Sequence, residues 1–156
     1  MSPLIKTVVR MLIGLKNEPQ LLKIAKLLIK NKADINAVDK GNNSALSFAA
    51  LALSDKMVQL LLGYRANPNI QGGINKFTPL MYAADGKTTA ENKQRQINIV
   101  EMLIAYGAKL FTTNNCGQTA YALALARDNV EVAEILKDAM QKRGKEIYGS
   151  QKVSEK

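Results

Sequence analysis

Three tracts of this chain recur with the same internal order, and that recurrence constrains the fold more than any other feature. They are Leu27–Asn36, Leu60–Asn69 and Met102–Phe111. Each reads as the apolar end of a helix, then a turn, then a short extended piece. Asn36 and Asn69 lie 33 residues apart, a spacing typical of stacked helical units. A second set interleaves with the first: Ser44–Ala50, Thr78–Ala84 and Thr119–Leu125, with Ser2-Pro3-Leu4 opening the same way. Each of these begins with a hydroxyl residue suited to an N-cap, and Pro79 suits the first helical position. The small alanines that follow allow two helices to approach closely. Ile24, Leu27 and Leu28, like Met57, Leu60 and Leu61, follow helical spacing. Each helix pair therefore leaves an apolar face that only a neighbouring unit can cover.

The two interleaved sets resemble the ankyrin repeat, with Thr78-Pro79-Leu80, Gly107-Ala108 and Ala33-Asp34-Ile35-Asn36 the nearest matches to its pattern. The resemblance covers about residues 1–140. It implies an all-α solenoid of about four helix-turn-helix repeats with β-turn tips, at about 2–38, 39–71, 72–113 and 114–140. The first and last units would act as caps. A single domain over 1–143 would then be followed by a flexible tail, 144–156, with the last helix reaching at most to Arg143.

Three departures from the family pattern carry expectations. The slot that holds His in the family holds Ile5, Ser47, Met81 and Ala122 here, so apolar packing should replace a polar network between units. The Gly slot after the outer helix holds Lys32 and Arg65, where left-handed geometry would cost roughly 1 kcal/mol. Ser2 and Ser44 are 42 residues apart and Thr78 and Thr119 are 41, so the first unit is long and so is the third. Its extra residues fall within Asp85–Gln96, where Thr88-x-x-Glu91 reads as a capping box. That reading starts an outer helix near Thr89 with about two extra turns, either a projecting contact element or a tolerated surface insertion.

Composition removes several functions. The chain has 156 residues, 47% of them hydrophobic, enough to bury a core. It has no His and one Cys, Cys116, so His-based catalysis, an internal disulfide and a His- or Cys-rich metal site are all excluded. No phosphate-binding glycine loop is present, since Gly72-Gly73 reads as a repeat turn. The expectation is a chain with no catalytic residues, no cofactor, no metal and no small-molecule substrate. Val8–Leu15 is a poor signal-peptide core, because Arg10 interrupts it and no small-residue cleavage site follows. The cytoplasm is the expected location, or delivery into a host cell as an effector.

The net charge of +9 sits at the two ends, while residues 33–136 balance nine basic against nine acidic side chains. Lys23, Lys26 and Lys30 share one helix face, with Lys16 in the preceding turn. This basic patch is either the solvated face of a capping unit or a dock for an acidic protein, an anionic membrane surface or nucleic acid. Nucleic acid is the least favoured of these, because no aromatic residues interleave with the charge.

The resemblance also implies binding of another protein through the turn tips and the concave face of the inner helices, by a chain that is a monomer when free. Carried onto this sequence, that surface comprises Lys40, Asn42, Asn43, Leu51, Ala52 and Tyr64 in the second unit. In the third it comprises Ile74, Lys76, Phe77, Asp85 and Tyr106, and in the last Asn115, Gln118, Arg127 and Asp128. Ile74 and Phe77 are apolar residues in a turn, and Tyr64 and Tyr106 occupy equivalent slots. Exposed aromatics of this kind anchor interfaces, although Phe77 could instead fold back on its own unit. Phe111 stands where an Asn usually braces the turn, and either packs on the next unit or is exposed. The competing class is a charge-driven binder of an anionic surface, or a structural subunit of a larger assembly.

Overall fold

A computed structural model describes residues 1–12 and 17–151, and Lys16 lies outside them. Eight helices run through these residues: α1 Pro3–Leu12, α2 Glu18–Lys30, α3 Ala45–Leu51, α4 Asp55–Gly63, α5 Pro79–Asp85, α6 Lys93–Ala105, α7 Ala120–Ala126 and α8 Val130–Gln151. They pair in sequence as helical hairpins. The inner helices α1, α3, α5 and α7 stack on one another, and the outer helices α2, α4, α6 and α8 form a second layer behind them. The architecture is an all-α solenoid.

Local chemistry sets the helix starts. Ser44, Ser54, Thr78 and Thr119 each sit in extended backbone and accept a hydrogen bond from the N–H three residues on. In the family's His slot Ile5 and Met81 are buried by apolar packing, Ser47 is buried with its hydroxyl 3.1 Å from Ser44 Oγ, and Ala122 is only half-buried. Met81 also adds a polar contact, since its sulfur accepts a hydrogen bond from the Thr78 N–H at 3.4 Å while Thr78 Oγ1 accepts from the Met81 N–H. One continuous core runs from Leu4 and Val8 through Leu46, Leu61, Leu80 and Leu103 to Leu136.

The turns after the outer helices adopt the left-handed geometry that the Gly slot implies, with φ of 63° at Lys32, 64° at Arg65 and 88° at Gly107. The turn tips are closed by isolated antiparallel bridges, Val38 to Ser44 and Gly72 to Phe77.

Three expectations are corrected. The outer helix of the third unit does not begin near Thr89. α6 starts at Lys93 and has 13 residues, the same length as α2. The extra residues form a loop over 86–92, because Thr89 and Asn92 cap one another reciprocally and the Asn92 side chain also donates to the Lys87 carbonyl. The pairing is therefore Thr89 with Asn92, not Thr88 with Glu91. Thr88 donates instead to Gln96 Oε1 at 2.7 Å. Gln96 is fully buried and donates in turn to the Ala83 and Gly86 carbonyls, which ties the loop down.

Ile24 and Leu27, which share the spacing of buried residues, are exposed, because no unit lies against that side of α2. Finally, α8 runs past Arg143 to Gln151. Arg143 holds it against the preceding unit, donating to the Ala108 and Ile104 carbonyls at 2.7 and 3.2 Å.

Candidate functional site

The turn tips are tied to one another by amide side chains. Asn42 Nδ2 donates to the Gln71 carbonyl at 2.6 Å. Gln71 Nε2 donates across to the Lys76 and Thr113 carbonyls. Asn115 Nδ2 donates to the Ile74 carbonyl at 2.6 Å. The Gly73 N–H donates to the Gly41 carbonyl at 2.7 Å, and the two tips lie so close that a Cβ on Gly72 would sit 2.5 Å from the Asn42 carbonyl oxygen. Lower down, Asn36 Oδ1 accepts from the Asn67 N–H, and Asn69 both accepts from the Lys109 N–H and donates to the Gly107 carbonyl. Successive tips therefore form one braced row.

Beneath this row a cleft of about 220 Å³ opens between the second and third units, lined by Leu51, Ile74, Asn75, Phe77, Tyr82, Asp85 and Gly86. Ile74 is 94% exposed and Leu51 is also exposed, so the cleft presents an apolar lip. Its floor is rigid. Phe77 packs edge-on against Tyr82, their ring centroids 5.3 Å apart. The Tyr82 hydroxyl donates to Asn43 Oδ1 at 3.0 Å. Burial, reinforced by the nearby Asp39 carboxylate, raises the Tyr82 phenol above its ordinary value, so it remains a donor.

The structure sorts the residues carried over from the sequence. Ile74, Phe77 and Asp85 come together at the cleft. Phe77 is not the exposed aromatic that its place in a turn suggested. It is 8% exposed, because the Gly72–Phe77 bridge turns its ring inward onto Tyr82. Asn43 and Gln118 spend their side chains internally, Asn43 on Asp39 and Tyr82, Gln118 on Asn114. Lys40 and Lys76 are exposed at the tips. Arg127 closes a bidentate pair with Asp85 at the far edge of the cleft.

Tyr64 and Tyr106 are exposed, yet they stand apart from the cleft, as the C-caps of α4 and α6. Phe111 is exposed rather than packed on the next unit, and Cys116 is an exposed free thiol. Lys23, Lys26 and Lys30 line the solvent face of α2, and among the described residues none of them makes a salt bridge.

Sequence reasoning missed Leu125, an exposed leucine at the end of α7, and Gln96. Gln96 was findable, since aligning the units places it where Ser54 caps α4 and Asn129 caps the start of α8. A larger groove of about 520 Å³ runs between the outer helices α6 and α8, lined in part by Glu101, Asp138, Lys142 and Arg143, and Arg143 is already engaged. Among the described residues no three carboxylate or thiol side chains gather in a way that could hold a metal, and no helix is long and apolar enough to cross a membrane.

Comparison with known proteins agrees with this geometry. A family model described as ankyrin repeats (3 copies) matches residues 11–92, and one described as ankyrin repeat matches residues 75–115. Among curated proteins, the chain is 31% identical over 102 residues to glycerophosphocholine phosphodiesterase gde1 of Schizosaccharomyces pombe. That alignment covers 65% of this chain and 8% of the relative. It is 27% identical over 122 residues to glycerophosphocholine phosphodiesterase GDE1 of Candida albicans, covering 77% of this chain and 10% of that protein. The chain thus spans a tenth or less of these two relatives, and the likeness to them says nothing of the reaction in their names. With interleaved helix-pair motifs, paired helices stacked in two layers and a repeat model matching more than half its length, the chain belongs to the ankyrin repeat family.

Proposed function

We propose that this chain is a non-enzymatic protein-binding module, an adaptor, inhibitor or effector working in a cytoplasm, that docks its partner on the inner-helix and turn-tip face. Ankyrin repeats generally mediate protein–protein interaction, and this reading assigns the contact to particular residues. The observation that carries it is the apolar lip of Leu51 and Ile74 on a braced scaffold. Ile74 has almost no intramolecular contact, yet its backbone carbonyl is fixed by Asn115. An exposed apolar side chain on a backbone already held in place spares the backbone ordering cost when it is covered, which favours its use as an interface anchor. Lys40 and Lys76 at the tips and the Asp85–Arg127 pair at the cleft edge would supply the polar rim.

The test is affinity capture from cell lysate at about 0.15 M salt, a physiological ionic strength. Wild type runs beside a Leu51→Ser, Ile74→Ser variant shown to be folded by circular dichroism. A protein captured by wild type and lost by the variant supports the assignment. A partner retained at full yield sinks it and shifts attention to Tyr64 and Tyr106, the exposed aromatics outside the cleft.

A further inference from the structure

The solvent face of the outer helices carries a row of positions that repeats in register. The units align on Ala25, Val58, Val100 and Ala133, all buried at the same point of their helices. In that alignment the row reads Lys23, Lys26, Lys30 on α2 and Glu131, Glu134, Asp138 on α8. Between them it passes through Lys56, Gln59, Gly63 on α4 and Asn98, Glu101, Ala105 on α6. Along this row three cations at one end of the solenoid grade into three carboxylates at the other, with the exposed Lys137 next to Asp138 on α8.

Each end also leaves uncovered an apolar position that other units bury. Ile24 is 41% exposed, whereas its counterparts Met57, Ile99 and Val132 are at most 1% exposed. Leu125 is 51% exposed, whereas Val8, Ala50 and Ala84 are at 0%. Within the chain, surface ion pairs already bridge adjacent units: Glu18 with Lys56, Asp85 with Arg127 and Lys93 with Glu131.

We propose that a second copy of the chain docks head to tail on the first, continuing the solenoid so that α2 of one copy lies beside α8 of the other. Lys26 and Lys30 then face Glu134 and Asp138, while Glu131 stays paired with Lys93, and the uncovered ends carrying Ile24 and Leu125 are brought together. Such a contact joins two different surfaces, so it extends from copy to copy rather than closing on a dimer. Its charge pairs are at the surface, so it weakens as salt screens them. It departs from the monomer that the sequence alone suggests.

The experiment measures apparent mass by sedimentation equilibrium from micromolar to millimolar protein, at about 0.05 M and about 0.5 M salt, Debye lengths on either side of the physiological one. Two variants leave the intramolecular salt bridges intact: Lys26→Glu, Lys30→Glu, and Glu134→Lys, Asp138→Lys. Wild type should rise at low salt from the 17.1 kDa monomer to at least twice that mass with concentration, and fall back at high salt. Each variant alone should stay monomeric, since its two ends carry like charge. An equimolar mixture should recover the wild-type mass, because each end then meets its opposite, and that recovery shows both variants to be folded. The proposal is overturned if wild type is monomeric throughout, if either variant alone associates as wild type does, or if the mixture fails to recover.

Discussion

Asp85 and Arg127 form a two-pronged pair, with Arg127 Nε 2.8 Å from Asp85 Oδ1 and Nη2 3.1 Å from Oδ2. Asp85 is the last residue of α5 and Arg127 the C-cap of α7, so the pair links the ends of two inner helices at the margin of the apolar cleft. The hydrogen bond to Asp85 raises the Arg127 guanidinium further above its ordinary value, so it stays charged at any physiological pH. Because Arg127 lies in solvent, its part in stability is small and screened by salt. Arg127→Ala should therefore leave the thermal midpoint nearly unchanged while freeing the Asp85 carboxylate at the cleft edge. Partner capture by that variant should fall for an acidic partner and hold or rise for a basic one. A large drop in melting temperature would show that the pair is structural instead.

The left-handed turns give a prediction that depends on the backbone alone. Lys32 and Arg65 adopt φ near +63°, a region in which a Cβ is strained and Gly is not. Lys32→Gly and Arg65→Gly should each stabilise the fold by about 0.5–1 kcal/mol, partly offset by the greater freedom of Gly in the unfolded chain. Gly107→Ala should cost about 1 kcal/mol, although nothing lies within 4 Å of the Cβ it would add. Urea denaturation of the three variants checks both signs. A Gly that destabilises at either slot would mean that the Lys or Arg side chain makes a contact worth more than the strain.

The features legible in the sequence were those set by near neighbours. The N-caps at Ser44, Thr78 and Thr119 and the strained turns at Lys32 and Arg65 follow from residues within one turn. What was not legible depends on which surface lies opposite. Ile24 has the same helical spacing as Met57 and Val132, but only those two have a preceding unit packed against them. Phe77 looks exposed in a turn until the bridge to Gly72 fixes its direction. Asn42 and Asn115, which read as solvent-facing tip residues, are internal braces, because each reaches a carbonyl about 30 or 40 residues away in sequence. At the candidate site the sequence identified Ile74 and Leu51. It also selected Tyr64 and Tyr106, which share a slot in the repeat but not the cleft.

Among the described residues Gln96 should be a sensitive polar position. Its side chain accepts from Thr88 and donates to the Ala83 and Gly86 carbonyls, all from a fully buried position. Gln96→Leu keeps comparable volume and removes all three bonds, stranding the Ala83 carbonyl at the end of α5. The cost should be about 1–3 kcal/mol, the usual penalty for a buried polar group left unpaired. The 86–92 loop should also become open to proteolysis at native concentrations of urea. A variant as stable as wild type, with an equally resistant loop, would show that the Thr89–Asn92 caps alone hold the segment.

Glu131 sets the direction of one pH effect. The Lys93 ammonium donates to its carboxylate, its own backbone N–H adds to the effect, and together they hold the carboxyl below its ordinary value of 4.5 despite slight desolvation. A carboxyl whose folded-state value lies below its unfolded one takes up a proton more readily when unfolded. The pair therefore contributes its full stability above the ordinary value and loses it as pH falls from there through the depressed one. Lys93→Met should lower stability at neutral pH, with the gap to wild type narrowing once pH drops below about 4.5 and closing in stronger acid. Chemical denaturation at a series of pH values reads this directly. A gap that stays constant from neutral to strongly acidic pH would mean that Lys93 stabilises the α6–α8 junction through its aliphatic stem and not through its charge.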